Sequence, residues 1–175
     1  MFHVGEFVVY GSQGVCKVTD VGCLNLPGAP DDRLYYTLEP CHILGGKVFT
    51  PVDNQKAIIR PVISKDEAIT LIDDMTDIET LWVPDERKRE SYYKDALRKC
   101  DCLELVKIIK TTYLRKQSRV AAGKKVTTGD EKYLHLAESN LYGELAVALD
   151  MEQEQVKQFI IDRIKDTQEA DAEIS

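Results

Sequence analysis

The chain has 175 residues, carries 23 Lys or Arg against 30 Asp or Glu, and has a formal net charge of −7. That length holds one ordinary domain or two small ones, and the acidic balance argues against indiscriminate binding to nucleic acid. No apolar run approaches the roughly 18 residues of a membrane span, and the opening "MFHVGEFVVYG" lacks the basic, apolar and small-residue regions of a secretory signal, so the expectation is a cytoplasmic protein with no membrane partner.

The first sixty residues read as strands. "EFVVYG", "GVCKVTDVG", "RLYYTLEP" and "KVFTPVD" are short, rich in Val, Tyr, Phe and Thr, and separated by Gly, Pro and Asp clusters. Phe7 and Val9 alternate with Val8 and Tyr10, so the first strand is apolar on both faces, as when a small sheet curls into a barrel. "YGSQGV" and "LGGK" supply tight turns, and "CLNLPGAPDDR" a longer Pro- and Gly-punctuated connection.

After "IIRPVIS" the pattern turns helical. Ser64 and Glu67 form a capping box ahead of Ala68, Leu71, Ile72 and Met75 at helical spacing. Pro84, shortly after Trp82, starts or interrupts a helix that runs on through "DERKRESYYKDALRKC". Asp101 caps a third helix with Leu105, Ile108, Ile109 and Leu114 as its apolar stripe and Gly123 as its stop. "TTGDEKYLHLAESNLYGELAVALD" is a fourth, with Thr128 and Glu131 as a capping-box candidate, and "EQEQVKQFIIDRIKD" a fifth. The acidic "TQEADAEIS" reads as a frayed, disordered tail. The expected fold is therefore α+β: a small β barrel over 1–60, an all-α bundle over 64–166 and a tail over 167–175.

Chemistry-bearing patterns are sparse. Cys16, Cys23, Cys41, Cys100 and Cys102 are odd in number and scattered, as reduced thiols are, and neither Cys41-His42 nor "CDC" has a second ligand pair at zinc-site spacing. The chain contains no P-loop, GxSxG, HExxH or GxGxxG pattern, and its three histidines stand apart. No metal, cofactor, small-molecule substrate or catalysis is expected; an enzyme built on Cys41-His42 or Cys100/Cys102 would lack a base and its orienting partner.

Charge is unevenly distributed. Residues 83–125 hold thirteen basic and six acidic side chains, net +7, against −14 for the remainder. The chain's single tryptophan, Trp82, stands at the head of this segment in "ETLWVPDERKRESYYK". A lone Trp is ordinarily a core residue and a mixed charge run a solvated face. The alternative is an aromatic projecting at a helix junction beside a cation patch, a combination that engages phosphates and wedges against an opened base step.

"FHVGEFVVYGSQGVCKVTDV" resembles the opening of the bacterial CarD/CdnL family, with Phe2, Gly5, Glu6, Val8, Val9, Tyr10, Gly14 and Val15 meeting its pattern. "YYTLEP" and "VFTPVD" are similar to later strands of that family's Tudor-like RNA polymerase interaction domain, shared with transcription-repair coupling factor. Trp82, "YYKDAL", "LVKIIKTTYLRKQ", "AAGKK" and "AESNLYGELAVAL" resemble its helical domain, so the likeness runs over about residues 1–165. The resemblance implies a β domain docked on the RNA polymerase β subunit and a helical domain on promoter DNA at the upstream edge of the bubble, modulating open-complex stability as a monomer. It implies Trp82 as a minor-groove wedge, with Arg87, Lys88, Arg89 and Lys125 holding phosphates. Here "VPDE" separates Trp82 from Arg87, where some members place arginines at once. Leu24 and Phe49 stand where members often carry polymerase-facing arginines, which moves the expected partner face to Tyr35, Tyr36, Lys47, Phe49 and Thr50 beside a strand edge. Tyr36 and Phe49 read equally well as barrel core and rim. An adaptor that keeps the polymerase contact without binding DNA is the alternative.

Overall fold

The computed structural model describes residues 1–174 and divides into two compact units, Met1–Val62 and Ile63–Ser175. The first is a five-stranded antiparallel sheet of β1 (Phe7–Tyr10), β2 (Val15–Cys23), β3 (Leu34–Pro40), β4 (Val48–Pro51) and β5 (Ile59–Pro61), ordered β4-β3-β2-β1-β5. The β1–β2 turn is tight because Gly11 and Gly14 take φ of 47° and 70°, values that L-residues with a Cβ seldom adopt. Val8, Cys16, Val18, Tyr36 and Leu38 close one face into a small core. On β2 a bulge between Val18 and Asp20 leaves Thr19 out of the ladder, its hydroxyl donating to the Thr37 carbonyl at 3.2 Å. Such a bulge bends and twists the sheet.

The sheet curls but does not close, a correction to the expected barrel. Closure would need β4 to pair with β5. These strands have four and three residues, and each ends in a proline that lacks the donor N–H, Pro51 and Pro61. β5 pairs Val8 with Pro61 and Val9 with Arg60; so short a proline-ended run has no strand signal of its own.

The second unit contains α1 (Lys65–Asp74), α2 (Arg89–Arg98), α3 (Cys102–Ala121), α4 (Thr128–Leu149) and α5 (Gln153–Ile174). Ser64 and Glu67 form the reciprocal capping box at α1, and Asp101 caps α3 through the Leu103 amide at 2.9 Å. α4 begins one residue earlier than its capping-box pattern suggests: Thr127, not Thr128, accepts the Asp130 amide at 3.1 Å. Pro84 breaks the chain ahead of a short 3-10 turn over Glu86–Lys88, capped by Asp85, and α2 follows directly. The bundle closes on Ile72, Tyr93, Ile108, Leu141, Leu145 and Val156. Glu144, 1% exposed in α4, accepts the Ile63 amide at 3.1 Å and the Cys102 thiol at 3.2 Å, fixing where the chain enters the bundle. The acidic segment 167–174, expected as a disordered tail, is instead the last two turns of α5, and Ser175 lies outside the described residues. No helix among the described residues is long and apolar enough to cross a membrane.

Candidate functional site

In the helical unit, Leu81 and Val83 are half-buried while Trp82 and Pro84 are exposed. This period-two alternation, with Leu81 packed on the bundle core, sends the intervening indole outward. Trp82 is 80% exposed, which removes the core reading.

The segment bearing it runs along one face of α3. Leu81 bonds Thr111 at 2.8 Å, Glu86 pairs with Arg115 at 3.5 Å, and the Lys125 carbonyl accepts from Arg119 Nε at 2.7 Å. Thr111, Arg115 and Arg119 are spaced i, i+4, i+8, so these anchors span about 12 Å of helix. Trp82, the 3-10 turn with Arg87 and Lys88, and the basic loop with Lys124 and Lys125 are thereby laid out in sequence along α3.

The basic candidates divide sharply. Arg87 is exposed, its side chain 91% accessible and paired among the described residues with Asp85 at 3.4 Å. Lys88 and Lys125 are exposed and form no ion pair among the described residues. Arg89 is turned inward, which corrects its reading as a phosphate ligand. Its guanidinium binds both oxygens of Glu86, donates to the Tyr93 hydroxyl at 3.2 Å and lies 5.9 Å from the Tyr93 ring centroid.

Arg89 belongs to a closed polar ring. Tyr93 donates to Asp130 at 3.0 Å, Arg115 donates to the other Asp130 oxygen at 2.9 Å, and Arg115 returns to Glu86. Burial raises the Asp130 pKa, but the Arg115 guanidinium, the Thr127 cap and the Tyr93 hydroxyl together outweigh it and hold the carboxyl below its ordinary value. The hydrogen bond from Arg89 lowers that of Glu86. The ring ties the 3-10 turn to α2, α3 and the start of α4, so it sets where Arg87 and Lys88 stand. Glu86 and Arg115 carry no sequence signal for this role; Asp130, three residues after a capping threonine, hints at helix-terminal work but not at the ring.

In the β unit, β4 is a free edge. Val52 donates to the Leu34 carbonyl at 3.0 Å, and Tyr36 pairs with Thr50 and Leu38 with Val48. By antiparallel alternation Thr50 and Val48 turn their backbone groups to β3, while Phe49 turns its N–H and C=O outward. Pro51 has no N–H, and its carbonyl already accepts from Asn54 at 3.0 Å. Phe49 is 44% exposed, Lys47 is exposed and Tyr35 half-buried. Tyr36 and Thr50 are corrected to the interior at 2% and 1% exposure, Tyr36 accepting the Phe2 amide and Thr50 the Asn54 side chain. Phe49 is therefore rim and Tyr36 core.

Cysteines are scattered through both units, and burial pushes Cys16 up to about 12, the pKa of an inert core thiol. No group of three His, Cys, Asp or Glu side chains that could hold a metal occurs among the described residues.

The β unit is thus a small open sheet whose edge strand β4 has one unpaired side beside the exposed Phe49. Residues 2–63 match the model of the CarD-like/TRCF RID domain, so the β unit is similar to a family of RNA polymerase interaction domains associated with the polymerase β subunit. The match stops where the helical unit begins. No curated protein matches the chain.

Proposed function

We propose that the protein is a CarD-like transcription regulator, without enzymatic activity, that acts as a cytoplasmic monomer on RNA polymerase and promoter DNA. The β4 edge adds to a strand of the polymerase β subunit, with Phe49 supplying the outward backbone pair and Lys47 and Tyr35 flanking it. The helical unit lies on DNA at the upstream edge of the bubble, where Arg87, Lys88 and Lys125 hold phosphates and Trp82 wedges against the distorted minor groove. The observation that carries the reading is Trp82, 80% exposed at the head of a row of unburied cations, in a chain whose first unit matches the polymerase interaction domain.

Mechanistically, the wedge binds opened DNA better than closed duplex, and that difference alone shifts the equilibrium. A preference of about 1.4 kcal/mol changes the open-to-closed ratio tenfold. Tethering through polymerase keeps the local concentration high, which compensates for the overall charge of −7. Lengthening the open state raises output where opening limits transcription and lowers it where escape does.

Binding to a forked promoter fragment across a salt series tests the DNA half. The expected result is a steep negative log-log slope that Lys88→Glu makes shallower by roughly one to two phosphate contacts. A protein that captures polymerase but shows no salt-dependent DNA binding is the adaptor without a DNA function.

A further inference from the structure

Beyond a turn at 75–77, the segment leading to Trp82 has no regular secondary structure, yet two adjacent α3 side chains fasten it. The Lys110 ammonium donates to the Thr76 carbonyl at 3.1 Å and to the Ile78 carbonyl. These oxygens follow the C-terminal end of α1, where a cation is favoured. Thr111 Oγ1 accepts the Leu81 amide at 2.8 Å and donates its own proton to the Lys107 carbonyl at 2.7 Å, so the hydroxyl is used in both directions. Lys110, counted by sequence among the cations of the basic segment, is thus spent on backbone and has its charge turned toward the strap.

We infer that Lys110 and Thr111 are positioning residues for Trp82, holding segment 76–81 so that the indole is presented in one orientation before DNA arrives. This rests on the proposed wedge role of Trp82. An exposed aromatic on a loose segment must be ordered at the moment of binding, and that cost reduces apparent affinity in proportion to the fraction not already competent. Here the ordering is done in the free protein by three hydrogen bonds to consecutive residues of a 20-residue helix, two donated by Lys110 and one accepted by Thr111.

Trp82 is the only tryptophan, so its emission anisotropy reads the strap directly. Thr111→Val keeps the shape and removes the hydroxyl, Lys110→Met removes the ammonium, and Thr111→Ser restores the hydroxyl without the methyl. The expected result is lower anisotropy for the Val and Met variants and parental anisotropy for the Ser variant. The same two variants should lose about threefold or more of the open-complex lifetime gained from the protein, the effect of roughly one hydrogen bond, with an unchanged salt slope on forked DNA. Parental anisotropy in Thr111→Val, or a Ser variant behaving like Val, overturns the inference; Thr111→Val decides alone should Lys110→Met not fold. The wedge reading is judged separately: if Trp82→Ala and parent give equal lifetimes, that reading fails whatever the anisotropy shows.

Discussion

Asp130 is the residue on which the placement of Arg87 and Lys88 depends, although it is itself buried. It is 3% exposed and receives Arg115 and Tyr93 on its two oxygens. Removing its charge leaves Arg115 half-paired, and Asp130→Asn should destabilise the helical unit by about 3 kcal/mol in denaturant unfolding. Its folded pKa lies below the unfolded value near 3.9. The stabilisation is therefore fully present above that value and is lost as pH falls through the folded one, so the gap between parent and variant should narrow below about pH 4. A gap that stays constant down to pH 2 would show that the ionised carboxylate is not the source. At the same scale Lys88 and Arg89, neighbours in sequence, should behave oppositely. Lys88→Glu weakens DNA binding at unchanged stability, whereas Arg89→Glu places a carboxylate against Glu86 and lowers the unfolding midpoint. The sequence shows two adjacent cations. Which one faces solvent is decided by Tyr93 and Glu86, residues four and three positions away, and by the fold that brings Asp130 beneath them.

Among the elements, helix ends were the most legible feature and strand edges the least. Ser64 with Glu67, and Asp101, mark their helices because a side-chain oxygen must meet orphan amides within three residues, a local requirement. The start of α4 is displaced by one residue because two threonines in succession satisfy the same pattern. Thr127→Ala should therefore cost about 1 kcal/mol and Thr128→Ala only a few tenths, read by thermal or denaturant unfolding; equal losses would contradict the cap seen here. Asp150 ends α4 at φ 53°. Asp150→Gly should stabilise by roughly 0.5 to 1 kcal/mol, since Gly takes that conformation without Cβ strain. The barrel expectation failed for a nonlocal reason: alternation and strand number describe a curling sheet, whereas closure depends on whether β4 and β5 retain enough donors to pair. The same geometry makes Phe49→Pro a selective probe. It removes an N–H that points to the free edge and none of the bonds to β3, so it should abolish capture of the polymerase β subunit while the core of Val8, Val18 and Leu38 persists.

For the whole molecule, the uneven distribution of charge explains how an acidic protein can present a basic surface, the one proposed to face DNA. The +7 of residues 83–125 is concentrated on part of one unit. Internal contacts hold Arg89, Arg115 and Lys110, whereas Arg87, Lys88, Lys116, Lys124 and Lys125 are exposed, as are Lys94, Arg98 and Lys99, each of these three beside a carboxylate. Sequence identified the segment and the exposed Trp82 as one of two alternatives, but it could not separate structural cations from outward ones, because Arg115 and Lys110 turn to residues 15 to 34 positions away and Arg89 turns to Glu86 and Tyr93 only once these are set in the folded ring. Affinity for DNA in isolation should thus be modest and strongly salt-dependent, becoming effective when the β unit is held on polymerase. The most direct test is the lifetime of an open promoter complex formed by cognate polymerase, followed after competitor challenge with parent, Trp82→Ala or no protein. The parent is expected to lengthen the lifetime, Trp82→Ala to lose most of this effect while retaining its melting temperature and its capture of polymerase, and the reaction without protein to give the baseline. Equal lifetimes with parent and Trp82→Ala, both bound to polymerase, would contradict the wedge role of Trp82.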